Sequence, residues 1–327
     1  MIISRAPFRV SFCGGGSDIP DFYSKYGGCV LSCSIRKYVY ISLHPSFDSS
    51  TITLKYSKTE EVKNYNEIEH KYFKIMLEDY KVNGVEIASM ADIPSGTGLG
   101  SSSAFTVATL MALRGYKKLP YSKFELASEA CDVEINKAHS PIGKQDQFAC
   151  ALGGLNFITF NKNGKVNVEP VIIPDNKELD LENNLLLFYT GLTHDANKIL
   201  STQSKNIRNR RESIEAQIKL CELAKQLKQH FEQGDIDFLG EVLKQSWEIK
   251  KTLSNGISNQ LIDDIYSKAM NAGALGGKLL GAGGGGFLLF YVKPESQKNV
   301  RSALSDYKEI EFKIDYEGAS ILFGMKR

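Results

Sequence analysis

Hydrophobic and polar positions alternate along this chain in blocks of two different periods. Residues 1–13 set Arg9 and Ser11 against Val10 and Phe12 and then break at Gly14, Gly15 and Gly16, the pattern of a strand ending in a glycine turn. Residues 28–44, 51–57 and 85–93 mix β-branched and aromatic side chains with polar ones and predict further strands. Helical spacing covers about 65–80 and 122–138. Residues 104–113 form an apolar run too long for a strand, with no Gly or Pro before Gly115. They predict a buried helix entered through a Gly-Ser turn. A short buried helix follows at 148–152, stopped by Gly153 and Gly154. Strands are expected at 155–173 and 185–190. One long helix is expected over about 195–229, where Leu200, Ile207, Ile214 and Cys221 recur at every seventh position and Arg208, Arg210 and Arg211 form a solvated face. Helices at 235–253, 258–272 and 295–306, a glycine turn at 283–286, and strands at 311–315 and 320–324 complete an α+β alternation.

Composition narrows the class. With 327 residues and 42% apolar content, the chain can bury a large core, and its size suggests two domains. Charged residues are 24% and nearly cancel at +2, so no basic field points to nucleic acid or an anionic membrane. The opening MIISRAPFRV lacks the apolar core of a signal peptide, and no run reaches membrane-spanning length. The six cysteines form no CxxC pair, and the five histidines show no metal-ligand spacing. A cytoplasmic protein with reduced core cysteines is expected.

Candidate chemistry gathers at glycine-rich segments. In PSGTGLGSSSAF (94–105), alternating glycines lead through Ser101, Ser102 and Ser103 into the buried helix. A helix start offers unpaired N–H groups and the positive dipole end to an anion, and glycines let a phosphate approach. The same stretch also fits a flexible loop capping a core helix. After the first glycine turn, Asp18 suits sugar hydroxyls, or the glycines serve turn geometry alone; Arg5 and Arg9 add positive charge to that strand. On helix 122–138, Glu134 shares a face with Ala127, Ala130, Cys131 and Ala138, whereas Glu129 falls on the solvated side. A carboxylate among small apolar neighbours needs a partner such as a metal ion, or must reach solvent. Asp146, in the triplet Lys144, Gln145, Asp146, is either a helix-start acid or a proton acceptor beside a cation. GxGxxG at 281–286 is followed by a strand, which excludes a dinucleotide fingerprint, and GGK at 276–278 lacks the Ser or Thr of a Walker loop. Close approach of backbone to a ligand or to the other domain explains these glycines better.

RAPFRVSFCGGGSD, PSGTGLGSSSAF and LGAGGGGF, in this order and with GKQDQ between the last two, resemble the GHMP small-molecule kinases over essentially the whole chain. The triple glycine with Asp18, together with PIGKQDQ, looks most like the bacterial D-glycero-D-manno-heptose 7-phosphate kinases; L-fucokinase-like enzymes share much of the pattern. The resemblance implies a two-domain α+β fold: a ribosomal protein S5 domain 2-like N-terminal domain (1–180), a ferredoxin-like C-terminal domain (181–327), and an active site between them. It implies ATP held by Pro94, Gly96, Gly98, Leu99, Gly100, Ser101, Ser102 and Ser103. Mg²⁺ would be held by Ser102 (Ser103 as second choice) and Glu134. Asp146 would be the catalytic acid-base group with Lys144 beside it, and Arg9, Gly14, Gly15, Gly16, Asp18, Gly283 and Gly284 would face the sugar. His194 stands where related heptose kinases carry arginine, which leaves Arg5, Lys144, His194 and Lys198 as candidates for the substrate's phosphate. The implied reaction is γ-phosphoryl transfer from ATP to the anomeric hydroxyl of the heptose 7-phosphate, toward nucleotide-activated heptose. A kinase for a free hexose, L-fucose or galactose, and a catalytically silent nucleotide-binding sensor are the alternatives. The implied partner is a small-molecule sugar phosphate, with neither nucleic acid nor membrane; monomer and homodimer both remain open.

Overall fold

The computed structural model describes residues 1–174, 177–193 and 196–324. In chain order its strands are β1 (Ile2–Cys13), β2 (Gly28–Pro45), β3 (Ile52–Lys55), β4 (Thr59–Val62), β5 (Val85–Ala91), β6 (Leu155–Phe160) and β7 (Val166–Pro170). After these come β8 (Leu185–Tyr189), β9 (Gly276–Leu279), β10 (Phe287–Tyr291), β11 (Lys308–Ile310) and β12 (Ser320–Phe323). They build two sheets. The first runs β12-β1-β2-β5-β3-β4, with β6 on the other half of β2 and β7 outside it; the second runs β11-β8-β10-β9. Pairing is antiparallel throughout except for β3 with β5.

Helices Ser101–Lys117 and Arg211–Glu232 both pack on β1 and β2. That packing is why the second half of β1 and the first half of β2 are buried on both faces. Val107, Leu110, Met111 and Leu113 of the first helix are fully buried, and each contributes about 1.5–3 kcal/mol by leaving water. Gly115 lies inside this helix, which runs on to Lys117. A Cβ on Gly115 would lie 2.8 Å from Ile321 Cδ1 of β12, so the helix packs closely on that strand here.

Three sequence expectations are corrected. The long helix over 195–229 is two helices, Ala196–Asn209 and Arg211–Glu232, separated by an extended Arg210 (φ −128°, ψ 120°). No glycine or proline marks that break. It arises because the first piece packs on helix Pro20–Tyr26, with Arg208 Nε 3.2 Å from Asp21, while the second packs on β1 and β2. The helix expected at 65–80 is a 3₁₀ turn Tyr65–Glu67 and a helix Lys71–Asp79, whose first turn is capped by the His70 ring. The strand expected at 311–315 lies earlier, as β11, and Ile314 makes only an isolated bridge to Ile35. The last strand, β12, pairs with β1 and returns the chain to the first sheet.

Candidate active site

The glycine-rich segments converge on one cleft of about 980 Å³. Gly96, Gly98 and Gly100 take φ of 73°, 82° and 78°, a region side chains avoid, and they curl the loop so that the helix begins at Ser101. Among the described residues, no side chain caps that helix. Its first-turn N–H groups, which a helix cannot pair internally, are therefore available, and Ser101, Ser102 and Ser103 line the cleft. Leu99 is buried, and its carbonyl accepts the Arg9 N–H at 3.0 Å; Pro94 lines the cleft.

The second glycine cluster presses on the first. A Cβ on Gly98 would lie 2.5 Å from the Leu280 carbonyl oxygen, one on Gly281 2.4 Å from Gly98 Cα, and one on Gly286 2.2 Å from the Thr97 carbonyl oxygen. Gly281 and Ala282 line the cleft. Gly283 and Gly284, expected at the sugar, do not: they pack on Ile257, whose carbonyl accepts the Gly284 N–H at 2.9 Å.

β1 carries Arg9 under the helix tip, 5% exposed. Its Nε and Nη2 donate to the two Asp146 oxygens at 2.7 Å each, and its Nη1 donates to the Gly98 carbonyl at 2.7 Å. Burial opposes the Arg9 charge, but Asp146 outweighs it and holds the guanidinium above its ordinary pKa. Asp146 stands in the first turn of helix Gln145–Leu152, near enough to the tip that a Cβ on Gly100 would be 3.4 Å from its Oδ2. The cation beside Asp146 is thus Arg9, not the expected Lys144. The Lys144 ammonium donates to the Gly164 carbonyl at 2.9 Å and sits 5.1 Å from the Tyr23 ring centre.

Asp18 is 3% exposed and accepts N–H bonds from Gly16 (3.1 Å), Gln145 (3.0 Å) and the Gln145 side chain (3.2 Å). Burial, reinforced by Asp146, pushes its pKa up. A Cβ on Gly143 would fall 1.9 Å from Asp18 Oδ2, so any side chain there would displace the Asp18 carboxylate. Gly14, Gly15 and Gly16 line the cleft beside it.

Glu134 is fully buried, as its helical face predicts. It lies on a π-helical turn, Asp132–Lys137, a widening common at functional positions. Ser102 and Ser103 donate to its two oxygens at 2.7 Å each, Thr106 at 3.0 Å, and Gln147 adds a fourth bond. Burial pushes its pKa up while these bonds pull it down. Glu129 pairs instead with Arg114, at 2.7 Å.

Two further lysines line the same cleft: Lys278, which the sequence offered only as the lysine of a failed Walker loop, and Lys250, which it did not single out. Lys278 is 6% exposed and donates to the Ser11 and Phe12 carbonyls at 3.1 and 3.0 Å. Lys250 donates to the Leu279 and Gly281 carbonyls at 3.0 and 2.5 Å. Burial pushes the Lys278 ammonium down to about 8 and that of Lys250 well below its ordinary value. The missed signal was a lysine inside β9, a strand buried along its whole length; nothing local separates Lys250 from Lys251. The lining also holds an aromatic cluster, Tyr56, Tyr72 and Phe105 packed around His70, together with Met90 and Ile93. Arg5 lies outside, bound to Glu317 at 2.7 Å and stacked over Tyr38. His194 and the side chain of Lys198 fall outside the described residues.

The family description GHMP kinases N terminal domain matches residues 62–154, and GHMP kinases C terminal matches residues 209–310. A D-glycero-alpha-D-manno-heptose 7-phosphate kinase of Campylobacter jejuni is 31% identical over 319 residues, covering 93% of each chain. A galactokinase of Thermotoga petrophila is 25% identical over 344 residues, covering 95% of each. Among solved structures, a D-glycero-D-manno-heptose 1-phosphate kinase from Bacteroides thetaiotaomicron superposes with a TM-score of 0.82 at 26% identity, covering all of both chains. Among the described residues, no helix is long and apolar enough to cross a membrane.

Proposed function

The chain belongs to the GHMP kinases and is an ATP-dependent sugar kinase, and from that premise we propose that its acceptor is a heptose 7-phosphate, phosphorylated on the anomeric hydroxyl to give the 1,7-bisphosphate. The observation that carries this reading is the Arg9–Asp146 pair held directly beneath an uncapped, glycine-fed helix tip. The name of the Campylobacter jejuni relative supports the heptose phosphate as acceptor.

Phosphoryl transfer asks for alignment and charge neutralisation more than for covalent chemistry. The N–H groups of 96–103 hold the nucleotide's polyphosphate, and the aromatic cluster with His70 and Phe105 holds its base. Asp146 accepts the acceptor's hydroxyl proton as the oxygen attacks, and Arg9 fixes the direction of that carboxylate through two hydrogen bonds. Asp18 and Gln145 orient sugar hydroxyls. Glu134 is a buried carboxylate satisfied only by neutral donors, with the Ser102 hydroxyl between it and the cleft. One carboxylate and one hydroxyl are hard oxygen donors of the kind Mg²⁺ accepts alongside phosphate oxygens, so these two residues would hold it. Once bound, the ion offsets charge on the β- and γ-phosphates. Ser103 is 2% exposed, which favours Ser102 for this role. Residues 1–180 and 181–327 would act as two lobes closing on the cleft, with β12 lent back to the first. The six buried free cysteines support work in a reducing cytosol.

An ADP-release assay over sugars and sugar phosphates tests the reading. Turnover with heptose 7-phosphate well above that with free hexoses is expected. Turnover confined to fucose or galactose would replace the acceptor, and ATP binding without any phosphorylated product would replace the activity.

A further inference from the structure

Buried charge in the cleft is unevenly balanced. Arg9 is neutralised by Asp146, and Glu134 is met by hydroxyls and an amide. Lys278 and Lys250 have no such counterpart: among the described residues neither is paired with a carboxylate, and each ammonium is held by two backbone carbonyls. An ammonium has three donors, so each keeps one N–H unused. Beside them the Ser11 hydroxyl is buried with no hydrogen-bond partner among the described residues. It lies 3.2 Å from the position a Cβ would take on Gly15, a cleft-lining glycine. A buried cation, a half-buried one and an idle hydroxyl lining one cleft are the complement of an anion.

We propose that Lys278, Lys250 and Ser11 form a second phosphate subsite, one that takes the phosphomonoester of the acceptor and so selects a sugar phosphate over a free sugar. This rests on the sugar-kinase reading above and adds the residues that choose its substrate. The nucleotide's phosphates have their own seat at the helix tip. Lys278 reaches the carbonyls of Ser11 and Phe12, directly before the Gly14 to Gly16 turn that leads to Asp18, which is the acceptor's side of the cleft. Arg9 is near enough to repel both ammoniums and also grips Asp146. The subsite and the proton acceptor therefore share a neighbour, as the two ends of one small phosphorylated sugar require.

The test uses Lys278→Met, Lys250→Met and the milder Ser11→Ala in the full chain, with inorganic phosphate as probe. Calorimetry on enzyme saturated with a non-hydrolysable ATP analogue reads phosphate binding, and kinetics compare heptose with and without its 7-phosphate. Each methionine variant is expected to weaken inorganic phosphate and raise KM for the phosphorylated heptose by about tenfold or more. Ser11→Ala should weaken both severalfold. Affinity for the ATP analogue and turnover of unphosphorylated heptose should stay within about threefold. Unchanged phosphate binding in all three variants overturns the subsite, and so does a loss confined to the ATP analogue, which would give the lysines to the nucleotide. Phosphate binding that needs the lysines in an enzyme that phosphorylates no sugar phosphate would leave the subsite standing and overturn the acceptor reading instead.

Discussion

Arg9 joins the first strand, the helix tip and the Asp146 helix in one hydrogen-bonded unit, and it does so across 137 residues of sequence. Residues that act as one unit lose their effect together. Arg9→Met should therefore lower kcat strongly, and adding Asp146→Asn should cost little more than Asp146→Asn alone; a double-mutant cycle on kcat checks this, with additive losses as the contrary result. Lys278 supplies a pH dependence. Its folded pKa, about 8, is depressed below the ordinary lysine value of 10.5, so burial penalises its charged form. The folded state carries that penalty in full below about 8, and it is relieved as pH rises toward the unfolded value. The groups bearing on it are Arg9, Lys250 and the Cys13 thiol, the last pushed up to about 12 by burial. Anion binding needs the ammonium, so KM for a phosphorylated acceptor should climb above pH 8 toward the level of the Lys278→Met variant. A flat KM profile from pH 7 to 10 would detach Lys278 from the anion. Sequence made Asp146, Glu134 and the serines visible, because glycine turns and helix faces are local patterns. It could not show that Arg9 rather than Lys144 meets Asp146, since that choice is made by packing between distant strands and helices.

Elements were legible where their own periodicity and caps decide them. β1, β2 and the helix Ser101–Lys117 appear where the pattern puts them, because two-residue alternation and an unbroken apolar run each admit one conformation. The break at Arg210, the π turn around Glu134 and the early β11 carry no glycine, proline or cap signal. Tertiary contacts impose them. The loop 96–100 is the element most exposed to a single change: Gly98 combines a φ of 82° with a Cβ position 2.5 Å from the Leu280 carbonyl. Gly98→Ala should cost about 1–3 kcal/mol from the backbone conformation alone, and more from the clash with the 280–286 turn. Lower thermal stability together with a raised KM for ATP is the expected outcome. A variant that melts and binds ATP like the parent would show that the two glycine turns need not touch.

At the scale of the molecule, two sheets and the helices between them bring segments from near both ends of the chain to one cleft. The order of three glycine segments made that convergence readable, but not which lysines would face inward. The central claim is that Asp146, aimed by Arg9 beside the helix tip, takes the acceptor's proton during phosphoryl transfer. The most direct measurement is the steady-state kinetics of Asp146→Asn on the phosphorylated acceptor. General-base assistance is worth about a hundred- to ten-thousandfold, so kcat should fall by that factor with the acceptor's KM nearly unchanged. A kcat equal to that of the parent enzyme would contradict the account.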